Sequence, residues 1–180
     1  MKNVPNILSI IRIFLVPAFV MIYFYESGAI KVYAAAVYAV ASFTDFLDGY
    51  VARKYHLITN LGKILDPVGD KLMTLAALIC ITISGVIPVW AVVIVLIKEL
   101  MMLIGGFIIR QKRGGEIPPS NIIGKTSTVV FFVICVTLML VKDIPEPAAT
   151  AMISAAILLM LAALFSYTIT FIHIMKKRGG

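Results

Sequence analysis

Six apolar stretches, separated by short polar connections, occupy most of this chain and restrict what it can fold into. They cover residues 7–25, 30–53, 61–84, 89–110, 121–141 and 148–175. Each is close to the roughly 20 residues that a helix needs to cross a bilayer. Hydrophobic residues make up 61% of the sequence, and its mean hydropathy is +1.03. The sequence therefore predicts an all-α integral membrane protein, with six transmembrane helices in a single domain over residues 1–180.

The first apolar stretch is interrupted only by Arg12 and Pro17. It resembles a signal peptide, but it lacks a small-residue cleavage site and is long enough to span, so we expect it to stay as a helix. The part before Arg12 is predicted to be an N-terminal interfacial helical segment, with the chain turning into the membrane at Pro17. Arg12 itself has two interpretations, an anchor that reaches the lipid headgroups or a functional residue.

The distribution of Lys and Arg predicts the orientation in the membrane. On one side only Lys31 and Lys142 occur, and Lys98 lies within a span. The other thirteen fall on the opposite side: Lys2, Arg12, Arg53, Lys54, Lys63, Lys71, Arg110, Lys112, Arg113, Lys125, Lys176, Lys177 and Arg178. We therefore expect a multi-pass protein of the cell membrane with both termini in the cytoplasm. The net charge of +7 is scattered between apolar spans, which favours contact with anionic lipid headgroups over nucleic acid.

Four of the nine acidic residues lie within residues 45–70, where the second apolar stretch ends and the third begins. Asp45 and Asp48 are three residues apart, and Asp66 and Asp70 are four apart, so each pair shares one face of a helix. A short connection is expected to bring both pairs to the cytoplasmic end of an antiparallel hairpin. Like charges this close repel, and an apolar surrounding increases the penalty. The pattern predicts a bound cation, and oxygen ligands favour Mg²⁺ or Mn²⁺.

Small residues and one cation accompany these aspartates. Gly49 follows Asp48, and Gly62 lies one turn before Asp66. Each removes a side chain where a facing helix or a phosphate must come close. Arg53 carries the fork of donors that suits phosphate oxygens.

The spacing D-x2-D-G-x2-A-R-x8-G-x3-D-x3-D, complete here from Asp45 to Asp70, resembles the signature of the CDP-alcohol phosphotransferases, integral membrane enzymes of phospholipid synthesis. The resemblance implies that a CDP-linked lipid binds with its pyrophosphate on the metal, that an acceptor hydroxyl attacks the lipid-side phosphorus, and that CMP leaves. It also implies a homodimer.

The resemblance assigns roles to residues of the motif. Asp45, Asp48, Asp66 and Asp70 would bind the metal, and Asp70 would also take the proton of the acceptor. The CDP-lipid would bind at Asp48, Gly49, Ala52, Arg53, Gly62 and Asp66.

The acceptor is predicted from weaker signals. Val4-Pro5-Asn6, Asn6-x2-Ser9-x2-Arg12 and the run 59–67 resemble bacterial phosphatidylglycerophosphate synthases, which use glycerol 3-phosphate and CDP-diacylglycerol. Arg110, Arg113, Lys125 and Arg12 are candidates to bind that dianion.

Two departures keep a second acceptor open. Ser127 stands where those synthases usually carry a lysine, and Lys98 where they often carry an arginine. The related cardiolipin synthases, whose acceptor phosphatidylglycerol has no phosphate monoester, tend towards the pattern found here. Inositol phosphate and serine are further alternatives.

Other interpretations of the charged and cysteine residues also stay open. Intramembrane carboxylates mark cation transporters too, although transporter sites usually lie near the midplane between repeats. Lys98 and Glu99 form either a structural ion pair, with each other or between helices, or a second layer around the metals or a contact with a lipid headgroup. Cys80 and Cys135 are predicted to be small core residues without a disulfide.

Overall fold

The computed structural model describes residues 4–26, 31–54, 62–113 and 122–176, and side chains within 11–26, 31–44, 71–105 and 122–169 together with residue 69. Within these residues the chain forms six helices and no strand. The helices are α1 Val4–Tyr25, α2 Val32–Lys54, α3 Gly62–Ile83, α4 Val89–Arg113, α5 Ile122–Leu140 and α6 Glu146–Lys176. The all-α prediction is confirmed, and each helix coincides with one predicted apolar stretch.

Within the described side chains, two helical segments are long and apolar enough, by length and composition, to cross a membrane: Ile122–Leu140 and Glu146–Ile169. Shorter apolar helical segments lie at Ile11–Tyr25, Val32–Thr44 and Lys71–Ile83. The fold thus supports an all-helical, membrane-associated protein.

Pro17 lies inside α1, which continues through it as one helix. The predicted interfacial segment is therefore the first part of α1 and not a separate element. A proline removes one backbone donor from the helix, and a long helix packed against neighbours tolerates that loss.

The helices group into two compact units, one of residues 1–86 with 135–144 and the other of 87–134 with 145–180. In the first unit α1 packs against both α2 and α3, and α2 packs against α3. In the second unit α4 packs against α6. The single domain over 1–180 stays a prediction.

Aromatic rings hold α1 against α2 in the first unit. The Phe19 ring lies 6.0 Å from the Tyr38 ring, and the Lys31 ammonium lies 5.4 Å from the Tyr23 ring centre. Between these two contacts the chain runs from Phe19 to Tyr23 along α1, but from Tyr38 back to Lys31 along α2. The two helices therefore run antiparallel. All three aromatic side chains are at most 2% exposed, so they hold the two helices together through close packing contacts.

Small residues allow the close packing around these rings. Ala34 and Ala41 on α2 are fully buried, as is Ala77 on α3. Without large side chains between them, helix backbones approach closely enough for dispersion contacts along their length. Cys80 and Cys135 are buried and free of disulfides, which confirms their prediction as small core residues.

The turn after α3 is defined by its hydrogen bonds. Gly85 donates its N–H to the Thr82 carbonyl at 2.9 Å, and Val86 donates to the Ile81 carbonyl at 3.3 Å. This pattern requires a left-handed residue at the position after the helix cap, which here follows Ser84. Gly85 has φ +75, so a glycine there stops the helix without strain.

The start of α2 is capped by residues that precede it. The Glu26 carboxylate accepts the N–H groups of Tyr33 and Ala34 at 3.3 and 3.4 Å. The Lys31 ammonium donates to the Glu26 carbonyl at 2.5 Å, and the Lys31 N–H donates to the Met139 carbonyl at 2.8 Å. A carboxylate at a helix N-terminus satisfies free N–H groups and interacts favourably with the helix dipole.

We predict that Glu26→Gln lowers the free energy of unfolding by about 1 kcal/mol, the usual value of a helix cap. The neutral amide accepts hydrogen bonds more weakly and loses the attraction to the dipole. Thermal unfolding of the purified protein in detergent measures the effect.

Lys142→Gln is a matched control, because the pair of Lys142 with Asp143 spans 3.8 Å and is exposed at both side chains. Such surface pairs contribute little to stability. If Glu26→Gln unfolds at the same temperature as Lys142→Gln, the cap does not stabilise α2.

Candidate active site

The aspartate motif lies at the end of α2 and the start of α3, two helices that pack together in the first unit. Asp45 and Asp48 fall within the last ten residues of α2, and Asp66 and Asp70 within the first nine of α3. Both pairs are therefore on helices, as predicted, at spacings that share a helical face. Gly49, Ala52, Arg53 and Gly62 are likewise helical in their backbone. The side chains of all eight residues lie outside those that the structure describes.

The described part of α2 sets the register of this motif. Ala34, Tyr38 and Ala41 are buried and recur at intervals of four and three residues, which keeps them on one helical face. Continued at the same intervals, this series reaches Asp45, Asp48 and Ala52. By this periodicity, two of the predicted metal-binding residues share a helical face with the buried residues Ala34, Tyr38 and Ala41.

This register is a signal that the motif by itself did not reveal. The sequence marks the aspartates by their own spacing, whereas the buried series through Tyr38 connects them to the packed face of the helix. The intervals are visible in the sequence, but only packing shows which face is buried.

Arg12 is almost fully buried, with 2% of its surface exposed. An anchor that reaches lipid headgroups keeps its charged end accessible. Burial therefore argues against the anchor interpretation. Arg12 lies on α1, which packs against the two helices that carry the aspartates.

The other predicted acceptor residues lie in the second unit. Arg110 and Arg113 are in the last four residues of α4, with side chains outside the described set. Lys125 is exposed near the start of α5. Their joint role in an acceptor site stays a prediction.

Ser127 is buried at 3% exposure, and its hydroxyl donates to the Gly124 carbonyl at 2.8 Å. The Thr128 hydroxyl donates to the same carbonyl at 3.1 Å, and Thr126 donates to Ile122 at 3.0 Å. Hydroxyls bonded in this way to the preceding turn often bend a helix slightly. The residue that replaces an expected lysine is therefore packed into the first turns of α5.

Lys98 and Glu99 form a buried ion pair on α4. The ammonium lies 2.6 Å from the Glu99 carboxylate, and the two side chains are 8% and 4% exposed. Adjacent residues on a helix do not face each other, so these long side chains must bend to meet. The predicted ion pair is confirmed, and a further role near the site stays a prediction.

The residues of the motif fit a divalent cation in their chemistry. The predicted donor set consists only of carboxylates, the ligands that Mg²⁺ and Mn²⁺ prefer over softer ones. Among the side chains that the structure describes, no group of three His, Cys, Asp or Glu residues forms a second candidate. The four aspartates lie outside that set.

Comparison with known proteins adds to this geometry. A family model described as CDP-alcohol phosphatidyltransferase matches residues 2–175. The chain is 34% identical over 157 residues to the CDP-diacylglycerol–glycerol-3-phosphate 3-phosphatidyltransferase of Bacillus subtilis, with 81% of this chain and 80% of that protein covered.

Two further relatives are similar over shorter regions. The protein of the same name from Rickettsia typhi is 44% identical over 73 residues, which cover 41% of each chain. The CMP-forming cardiolipin synthase of Streptomyces coelicolor is 37% identical over 130 residues, which cover 70% of this chain and 60% of that protein.

We predict that Lys98→Met destabilises the protein by about 3–5 kcal/mol, because it leaves the Glu99 charge buried without its ammonium. The double variant Lys98→Met/Glu99→Gln should be more stable than either single variant, since it removes both charges. Thermal unfolding of the four proteins in detergent forms a double-mutant cycle. Additive effects of the two substitutions would show that the pair does not stabilise α4.

Proposed function

The chain belongs to the CDP-alcohol phosphatidyltransferase family, and we propose that it transfers the phosphatidyl group of CDP-diacylglycerol to glycerol 3-phosphate. The products are phosphatidylglycerophosphate and CMP. The observation that carries the proposal is the complete motif at the end of α2 and the start of α3, two helices that pack together. The Bacillus subtilis relative, similar over 80% of its length, bears the name of this activity.

The proposed reaction is a displacement at phosphorus. The acceptor hydroxyl oxygen bonds to the lipid-side phosphorus, and the bond from that phosphorus to the oxygen of CMP breaks. The acceptor proton passes to the Asp70 carboxylate, and CMP leaves with the bond electrons. A general base placed in this way contributes about 10²–10⁴-fold to the rate.

The carboxylates of Asp45, Asp48, Asp66 and Asp70 would hold Mg²⁺ or Mn²⁺. When bound, the metal neutralises pyrophosphate oxygens and polarises the phosphorus. The four residues can bind it from two helices because each pair shares a helical face. This arrangement positions the CDP-lipid at the helix ends.

The remaining residues of the motif would bind the CDP-lipid. Gly49, Ala52 and Gly62 leave room for the nucleotide beside the helix backbones, because none has a side chain larger than a methyl group. Arg53 lies one turn after Gly49 and supplies paired donors for phosphate oxygens.

The acceptor site is proposed at the basic ends of helices in the second unit. Arg110 and Arg113 at the end of α4 and Lys125 at the start of α5 carry the charges that a phosphate monoester requires. The described side chain of Lys125 is exposed and thus accessible to a soluble substrate. Arg12 was predicted for the same role, but it belongs to the first unit and is buried, which favours a different role.

Cardiolipin synthesis from CDP-diacylglycerol and phosphatidylglycerol is the second candidate. Ser127 supports it, because a buried hydroxyl occupies the position of an expected phosphate-binding cation. The Streptomyces coelicolor relative named for that activity is 37% identical. Glycerol 3-phosphate stays first because the similarity to the Bacillus subtilis relative covers more of both chains.

We propose that all six helices cross the membrane, with the aspartate site and both termini on the cytoplasmic side. The shortest helix has 19 residues, or about 28 Å, and the longest has 31, or about 46 Å. The hydrocarbon core of a bilayer is about 30 Å thick. The Lys and Arg asymmetry supports the orientation. A homodimer stays a prediction that the family implies.

The first experiment is CMP release by the purified protein in detergent with CDP-diacylglycerol and Mg²⁺ or Mn²⁺. Glycerol 3-phosphate and phosphatidylglycerol are offered separately. We predict release with glycerol 3-phosphate and loss of at least about a hundredfold in Asp70→Asn, because the amide cannot take the proton. Binding of CDP-diacylglycerol should remain largely intact.

The result separates the candidates. Release with phosphatidylglycerol alone would identify a cardiolipin synthase. Normal turnover by Asp70→Asn would exclude Asp70 as the base. Silence with both acceptors, together with metal flux in liposomes, would instead favour a transporter.

We predict that Lys125→Gln raises the KM for glycerol 3-phosphate about tenfold, the loss of one hydrogen bond to a charged group. The KM for CDP-diacylglycerol should not change. Steady-state kinetics with each substrate varied in turn measures both constants, and Lys142→Gln serves as the control for removal of an exposed charge. Equal KM values for glycerol 3-phosphate in Lys125→Gln and the unmodified protein would place the phosphate elsewhere.

A further inference from the structure

Arg12 is a cation buried within a predominantly apolar helix. Its side chain is 2% exposed, on a helix that packs against α2 and α3. Burying a guanidinium away from water is strongly unfavourable unless a negative charge accompanies it. The position of Arg12 along the bundle indicates where that charge lies.

The contact of Phe19 with Tyr38 provides a reference level for the antiparallel pair α1 and α2. The two ring centres are 6.0 Å apart. Towards the cytoplasmic end, residue numbers fall along α1 and rise along α2. Residues at equal distances from this contact in that direction therefore lie at the same level.

Arg12 and Asp45 satisfy this condition. Arg12 is seven residues before Phe19, and Asp45 is seven residues after Tyr38. Seven residues correspond to two helical turns and about 10.5 Å, so each residue also returns to the helical face of its reference. The buried cation of Arg12 on α1 thus lies at about the same level as Asp45, the first aspartate of the motif on α2.

Charge balance gives this alignment a function. The four aspartates carry four negative charges, and one divalent cation neutralises two of them. Before the metal binds, like charges at Asp45 and Asp48 repel each other across a single helical turn. A fixed positive charge at the same level reduces this repulsion and so stabilises the site while it holds no metal.

We propose that Arg12 is a positioning residue that balances the carboxylates of Asp45 and Asp48 in the absence of metal. Its target is the cation-binding face of α2, and it does not bind the acceptor. This inference rests on the proposed function, which assigns Asp45 and Asp48 to the metal. It adds that α1 supplies part of the charge that organises their site.

Thermal unfolding without substrates tests the proposal. Because no reaction takes place in this measurement, its result does not depend on the proposed catalytic activity. The proteins are the full chain, Arg12→Gln, Asp45→Asn and the double variant, each in detergent with EDTA. We expect Arg12→Gln to lower Tm by several degrees in the unmodified background and by less than half as much in the Asp45→Asn background. The reason is that removal of Asp45 takes away part of the charge that Arg12 balances.

Titration with Mn²⁺ provides the second measurement. Loss of a nearby positive charge strengthens cation binding, so Arg12→Gln should be half-saturated at about a tenfold lower Mn²⁺ concentration, read from the rise in Tm. Arg12→Lys keeps the charge and should resemble the unmodified protein in both measurements. Lys142→Gln removes an exposed charge and should change neither.

Three outcomes would overturn the proposal. An equal loss of Tm from Arg12→Gln in both backgrounds would mean that Arg12 is not coupled to Asp45. An unchanged Tm and Mn²⁺ response, with a raised KM for the acceptor alone, would make Arg12 an acceptor-binding residue. If Arg12→Gln fails to fold and the double variant with Asp45→Asn fails equally, the charge balance is also excluded.

Discussion

Charge buried among apolar helices is the constraint on which the arrangement of this protein depends. Arg12, Lys98 and Glu99 are each less than a tenth exposed, although they lie in helices built mainly from apolar residues. Such charges are tolerated only where an opposite charge or a bound ion accompanies them. Lys98 and Glu99 meet this condition within a single helix, through an ion pair of 2.6 Å. The aspartate motif meets it with the proposed metal.

The contact between α1 and α2 sets the relative positions of their residues. Phe19 and Tyr38 fix the level of one helix against the other. The contact of Lys31 with the Tyr23 ring joins the end of α1 to the start of α2. Alanines at the buried positions of α2 let the backbones approach. Because close-packed helices cannot slide by fractions of a turn, contacts made far from the motif also set the position of its residues.

The proposed acceptor site lies in a different part of the chain from the aspartate motif. A phosphate monoester requires several cations, whereas phosphatidylglycerol requires fewer. Ser127 is packed into the first turns of α5, and the neighbouring Lys125 is exposed. We therefore propose that a few residues at helix ends distinguish the two activities, and that the aspartate motif does not.

The sequence by itself determined the helices, the motif and the family. Apolar stretches of nearly constant length can satisfy their backbone only as helices, and the spacing of the aspartates specifies carboxylates on shared helical faces. Burial was less predictable, because an arginine near the end of an apolar stretch is compatible with both an exposed anchor and a buried partner. Pro17 was expected to mark a change of direction, yet α1 continues through it. Only the tertiary structure decided that Arg12 is buried, that Lys98 pairs with Glu99, and that α1 and α2 align through Phe19 and Tyr38. The burial of these charges and the alignment of α1 with α2 arise from packing between helices, which local periodicity does not specify.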